Sequence, residues 1–173
     1  MMYKKVKKKL ISLFCGELAA TILFALLWFF YLPQSGWFEH YVKTIPSLFA
    51  FILLEFILLQ GSFYWYLKWK QVSNKDFSNL PISYLRLFSL FKKLNVLLIL
   101  IGIIILVNQM VVSAKEVYWY TFVFGFAVLE QVNYYHIRLS YQTSEELKDL
   151  MHRKKLTRSK LAKELYSLKS KRN

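Results

Sequence analysis

Four stretches of apolar side chains, 10–32, 48–67, 94–112 and 117–137, divide the chain, and charged or turn-forming residues bound them. Each runs about twenty residues, about 30 Å as an α-helix, which matches the hydrocarbon core of a bilayer. The pattern predicts an all-α integral membrane bundle of four transmembrane helices. Between the second and third stretches, Pro81 is placed for a helical first turn. Ser83, Arg86, Ser89 and Lys93 then recur at helical spacing, leaving Ile82, Leu85, Phe88 and Phe91 on other faces. This predicts an interfacial helix on the inner leaflet that runs into the third span.

After Arg138 the rhythm changes. Thr143-Ser-Glu-Glu146 is a capping-box arrangement. Leu147, Leu150 and Met151, then Leu161, Leu165 and Leu168, predict two short amphipathic helices with basic outer faces. The chain therefore divides into a transmembrane domain, 1–140, and a basic cytoplasmic helical tail, 141–173. Among the predicted connections, the outer loop carries Pro33, Trp37, Phe38 and Tyr41, which suit a headgroup-level aromatic belt, with His40 as a surface residue. A tight turn at Ser113-Ala-Lys-Glu116 returns the chain into the fourth helix.

Composition agrees with the pattern: 56% of the 173 residues are hydrophobic and 18% aromatic, above the usual share for a soluble domain. The net charge of +14 would suggest nucleic acid, but its placement decides otherwise. Of the 24 lysines and arginines, only Lys43 and Lys115 fall in the two loops assigned to the outside. The other 22 precede the first span, lie between the second and third, or follow the fourth. The positive-inside rule then puts both termini and the middle loop in the cytoplasm, and no nucleic-acid partner is expected. Arg86, Lys92, Lys93, Arg153, Lys154 and Lys155 become candidate contacts to anionic headgroups of the inner leaflet. The first apolar run is too long for a signal-peptide core and no small-residue cleavage site follows it, so an uncleaved span is expected. One cysteine, Cys15, allows neither an intramolecular disulfide nor a thiolate metal site, and reads as a packing residue.

Candidate chemistry lies in the few polar groups inside the spans, because ionisable residues there are costly and often functional. Glu17, Gln60 and Glu130 each lie eight residues inside a basic marker, at Lys9, Lys68 and Arg138. That is about 12 Å of helix, which predicts one polar layer. Asn133 and Tyr134 share a stripe with Glu130, while Gln131 points elsewhere. Glu130 is expected to be protonated or to meet Gln60 or a tyrosine hydroxyl. Glu55, near mid-membrane, is a second candidate acid. Gly16 with Ala20, and separately Gly125, offer close helix packing. Glu130 and His136 are six apart and not on one face, so no metal ligand pair is predicted, and no cofactor. There is no nucleophile elbow and no phosphate-cradling glycine loop, hence no catalytic residue to name.

Glu130-Gln-Val-Asn-Tyr-Tyr-His136 closing the last span, with Asp149-Leu-Met-His-Arg-Lys-Lys-Leu-Thr-Arg-Ser-Lys-Leu-Ala-Lys-Glu-Leu165 in the tail, resembles small bacterial four-span membrane proteins of uncharacterised function. The resemblance implies a bacterial plasma membrane and no activity. The leading expectation is a multi-pass, non-enzymatic accessory or self-associating subunit, acting as a homo-oligomer or with a membrane protein partner. A small proton- or ion-coupled carrier using Glu17, Glu55 and Glu130 is one alternative. An enzyme acting on lipid through Glu130 and His136 is the other.

Overall fold

The computed structural model describes residues 2–31, 34, 36, 43–112, 114–139 and 157–170. Among the described residues the regular structure is helical, apart from one antiparallel bridge between Ile137 and Arg158. Five helices form: α1 Met2–Leu26, extended by a wide turn Leu27–Tyr31; α2 Ile45–Ser73; α3 Ile82–Val112; α4 Ala114–Tyr135; and α5 Lys160–Ser170.

Three of them, α1 through its wide turn, α2 and α3, are long and apolar enough to cross a membrane. The expected fourth span forms a 22-residue helix, α4, of sufficient length but outside that set. The physical reason is its side chains: tyrosines, Trp119, Thr121, Glu130, Gln131 and Asn133 dilute its aliphatic content. The expected interfacial helix at 82–93 is the unbroken beginning of α3, and two of its apolar residues, Leu85 and Phe88, point into the protein while Ile82 and Leu90 stay exposed. Phe88 is fully buried and Leu85 nearly so, against Phe63, Tyr64 and Phe91. The expected outer-loop belt at 37, 38 and 41, His40, the turn residue Ser113, the capping box at 143–146 and the first tail helix all lie outside the described residues, as do Arg153, Lys154 and Lys155.

Helix ends follow local chemistry. Thr44 caps α2, its Oγ1 accepting the Ser47 amide, and Pro46 occupies the first turn where no amide is needed. At the other end Lys75 adopts φ 61°, and Asp76 N bonds Gln71 O at 3.2 Å while Lys75 N bonds Val72 O at 2.9 Å. This is the paired closure that usually has glycine at the left-handed position. The loop is then pinned by Asp76. A hydrogen bond from Gln71, then donation from the Ser78 amide and hydroxyl, hold its carboxyl below the usual carboxylate range.

The central element is α2, packed along α1 and α4 and more lightly along α3. Of its apolar stretch 56% is buried, against 17% for α1 and for α3. Ile57 and Ala127 sit at its contact with α4 at 0% exposure, and Trp28 stacks on Phe51 at 4.3 Å. Two glycines set the closest approaches: a Cβ at Gly102 would lie 2.2 Å from the Phe124 ring, and one at Gly61 would lie 2.2 Å from that of Tyr134. Gly16 and Gly125, the positions the sequence pointed to, have nothing within contact distance, and Cys15 is exposed rather than packed. Around the outside, Leu23, Phe29, Ile52, Leu97, Ile104 and Phe122 are among many large apolar residues more than half exposed. A continuous surface of this kind is far larger than water tolerates on a monomer.

Candidate functional site

Polar side chains inside the bundle gather in two separate clusters, not one layer. The first is built of amides. Asn95 of α3, at 0% exposure, donates to Gln60 Oε1 and to Gln131 Oε1, both at 2.8 Å, and accepts from Gln60 Nε2 at 3.1 Å. The Tyr135 hydroxyl donates to Gln60 Oε1 at 2.6 Å. Three helices, α2, α3 and α4, are thereby tied at one point. Of the expected residues only Gln60 belongs here. Asn95 and Tyr135 were not singled out, and Gln131, which points away from the Glu130 stripe, points into this knot.

The second cluster joins the remaining expected residues. Tyr134 donates its hydroxyl to Glu17 across the α4–α1 contact, and Asn133 Nδ2 donates to Glu130 Oε2 at 3.2 Å. Glu17 and Glu130 are electrostatic neighbours. Gly61 makes room for the Tyr134 ring, so Gly61→Ala should push the phenol off Glu17. A cost of about 1–3 kcal/mol is expected for the overpacking. The check is melting in mild detergent, together with labelling of Glu17 by a hydrophobic carbodiimide, which should rise. Glu55 stands apart from both clusters, half-buried, with its Oε1 buried and without a hydrogen-bond partner. Arg86 and Lys93 are exposed, and Lys92 donates to the Tyr135 carbonyl at 3.3 Å.

At the basic end of the bundle α5 folds back on the membrane-length helices. Ser159 caps it, its Oγ accepting the Ala162 amide at 3.1 Å and donating to the Tyr134 carbonyl. Leu161, Leu165 and Leu168 face the bundle, as their spacing predicted. Between them Glu164 turns inward and pairs with Lys68 at 2.9 Å, both side chains about 95% buried from solvent. Glu164 also accepts from the Tyr64 hydroxyl at 3.3 Å and the Leu80 amide at 3.1 Å. Lys68 donates further to the Ser78 carbonyl at 2.9 Å. No sequence signal pairs these two residues. Lys68 reads as an end-of-span cation, and Glu164 as one acid in a basic tail.

Docking of α5 leaves a cleft of about 500 Å³ between it, α1, α2 and α4. One wall is the α1 stripe Val6, Leu10, Leu13 and Glu17, and the floor is the Glu17–Tyr134 pair. Five cations line the opening: Lys9, Arg138, Arg158, Lys160 and Lys163. Partial burial, then the Lys68 ammonium, hold the Lys160 ammonium below its ordinary value, with Glu164 opposing and Lys9 adding to the effect.

No protein-family model matches the chain, and neither a curated protein nor a solved structure matches it.

Proposed function

We propose that this chain is a four-span membrane protein with both ends in the cytoplasm, serving as a non-enzymatic accessory or self-associating subunit that presents its docked tail to a partner. The apolar belt supports a bilayer as solvent, and α4 completes the fourth crossing. Its polar content is tolerated because Tyr120, Gln131, Tyr134 and Tyr135 turn inward to hydrogen-bond partners. The distribution of 22 cations to one side supports the orientation.

One observation carries the non-enzymatic reading: the polar residues of the two clusters bond to one another. Amides hold no titratable proton, so the Gln60–Asn95–Gln131 knot fixes helix positions and relays nothing. Glu55 takes part in neither cluster, which leaves the carrier alternative without a connected path. The tail, by contrast, is held by a buried ion pair and still turns Tyr166 and Lys163 outward.

Native mass spectrometry on protein extracted from its own membrane tests this. A second copy or a companion protein in fixed ratio is expected. Deletion of everything after Arg138 should remove it while membrane insertion persists, and Tyr166→Ala should weaken it with the tail still docked. A bare monomer in every extract, with ion flux in liposomes abolished by Glu130→Gln, would replace this reading with the carrier.

A further inference from the structure

We propose that the cleft under α5 is a binding site for one anionic phospholipid of the inner leaflet. Its phosphate would be held by the cationic opening, and the start of an acyl chain would lie along α1. The proposal rests on the bilayer orientation proposed above.

Three features of the cleft point to an amphiphile. Its opening collects cations from three parts of the chain, Lys9 of α1, Arg138 after α4, and Arg158, Lys160 and Lys163 around the start of α5. The tail cannot dock without bringing them together. Glu17, the acid of the cleft, is at its far end, eight residues or about 12 Å along α1 from Lys9, and is occupied by Tyr134. A phosphate at the opening therefore meets positive charge without meeting the carboxylate.

Below the opening the walls are apolar: Val6, Leu10 and Leu13 on one side, Leu161 and Trp65 on others. A soluble anion would leave that surface unused, whereas an acyl chain covers it. The volume of about 500 Å³ lies within the range of small-molecule sites and suits a headgroup with the first part of a chain, the remainder staying in the bilayer. Charge complementarity also selects among lipids. Five cations at one opening favour a net-negative headgroup such as phosphatidylglycerol over zwitterionic phosphatidylcholine.

The test uses the full-length protein in detergent micelles and reads bound lipid by native mass spectrometry, with phosphatidylglycerol, phosphatidylcholine and inorganic phosphate as probes. One phosphatidylglycerol per chain should survive delipidation, with phosphatidylcholine exchanged away and inorganic phosphate failing to compete. Each basic residue near a lipid surface contributes roughly enough that Arg158→Gln with Lys163→Gln should weaken retention about 30-fold. Val6→Trp, which fills the apolar wall and leaves every charge in place, should also lower it.

Lys4→Gln with Lys70→Gln, exposed and outside the cleft, should change retention by less than about 3-fold. Equal losses from the two double variants, equal retention of both lipids, or displacement by inorganic phosphate would each overturn the proposal. The orientation is tested separately. In a Cys15→Ser background, cysteines at positions 2 and 171 should react only with a reagent admitted to the cytoplasmic side. Labelling from outside would overturn the topology while the micelle measurement still reports on the cleft.

Discussion

Lys68→Met should release α5 from the bundle. Removing one member of a buried ion pair costs about 3–5 kcal/mol, because the charge left behind has lost its counterion and remains out of water. Glu164 would keep only the Tyr64 hydroxyl and the Leu80 amide. Two outcomes are open to the molecule, and magnitude chooses between them. Keeping the tail docked means carrying the whole penalty. Letting it go exposes Leu161, Leu165 and Leu168 and returns Glu164 to water. An 11-residue helix is marginal by itself; the bonds from Ser159 to the Tyr134 carbonyl and between Arg158 and Ile137 anchor only its start, and further along the exposed Asn79–Ser167 bond is weak. Undocking is the cheaper route, while the bundle, held by α2 against α1 and α4, stays folded. Amide hydrogen exchange across 163–170 should accelerate by two orders of magnitude or more, with α2 and α4 unchanged. Lys68→Met with Glu164→Met should largely restore protection, since a buried pair replaced by apolar residues of similar size is often neutral. Loss of protection in the double variant equal to that in the single one would show that the ion pair is not what holds the tail.

The helices were legible in the sequence because a run of twenty apolar residues has few other uses, although α3 begins about three turns before its apolar run and buries Leu85 and Phe88 there. What periodicity could not supply was the identity of each residue's neighbour. Asn95 follows Lys92, Lys93 and Leu94 at the start of the third apolar stretch, where nothing in the pattern marks it as buried, yet it is fully buried. Whether a polar residue near a helix end faces lipid, water or protein depends on how the helix is rotated, and its own sequence does not record that. Glu130 drew attention because a carboxylate in a span is costly. The neighbouring amide Gln131 fits the interior better, since neutral donors and acceptors can be satisfied there without a counterion.

The glycines show the same limit. Gly16 with Ala20 and Gly125 had plausible settings, but close approach needs a partner ring or backbone, and only Gly61 and Gly102 have one. The Lys68–Glu164 pair lay furthest from view. It joins a residue of the second helix to one in the tail, and neither has a local pattern that marks it as buried.

Asn95→Leu should loosen the bundle by about 2 kcal/mol, less than the count of lost bonds first implies. The substitution keeps the side chain's approximate size and removes three hydrogen bonds. Gln60 Nε2 and Gln131 Oε1 lose the partners they have, while Gln60 Oε1 keeps Tyr135. At about 1–3 kcal/mol for each orphaned group the loss could reach about 6. Two effects lower it. Helices separated in a bilayer find other partners, so interhelical hydrogen bonds there average only about 0.6 kcal/mol. The two glutamine side chains are also long enough to turn toward each other once Asn95 is gone, and the Gln131 amide nitrogen has no partner to give up. Reversible unfolding in mixed micelles measures the change. Leucine at 60, 95 and 131 together should recover part of the stability, because of the knot's polar atoms only the Tyr135 hydroxyl is then left unpaired. Orientation is what the triple variant should lose. Among the described residues the knot is where all three of α2, α3 and α4 meet through directional bonds, so cysteine pairs placed across α3 and α4 should cross-link at several registers instead of one. Recovery of stability with a single register retained would assign orientation to the ring contacts at Gly102 and Phe124. The amides would then be a tolerated polar inclusion.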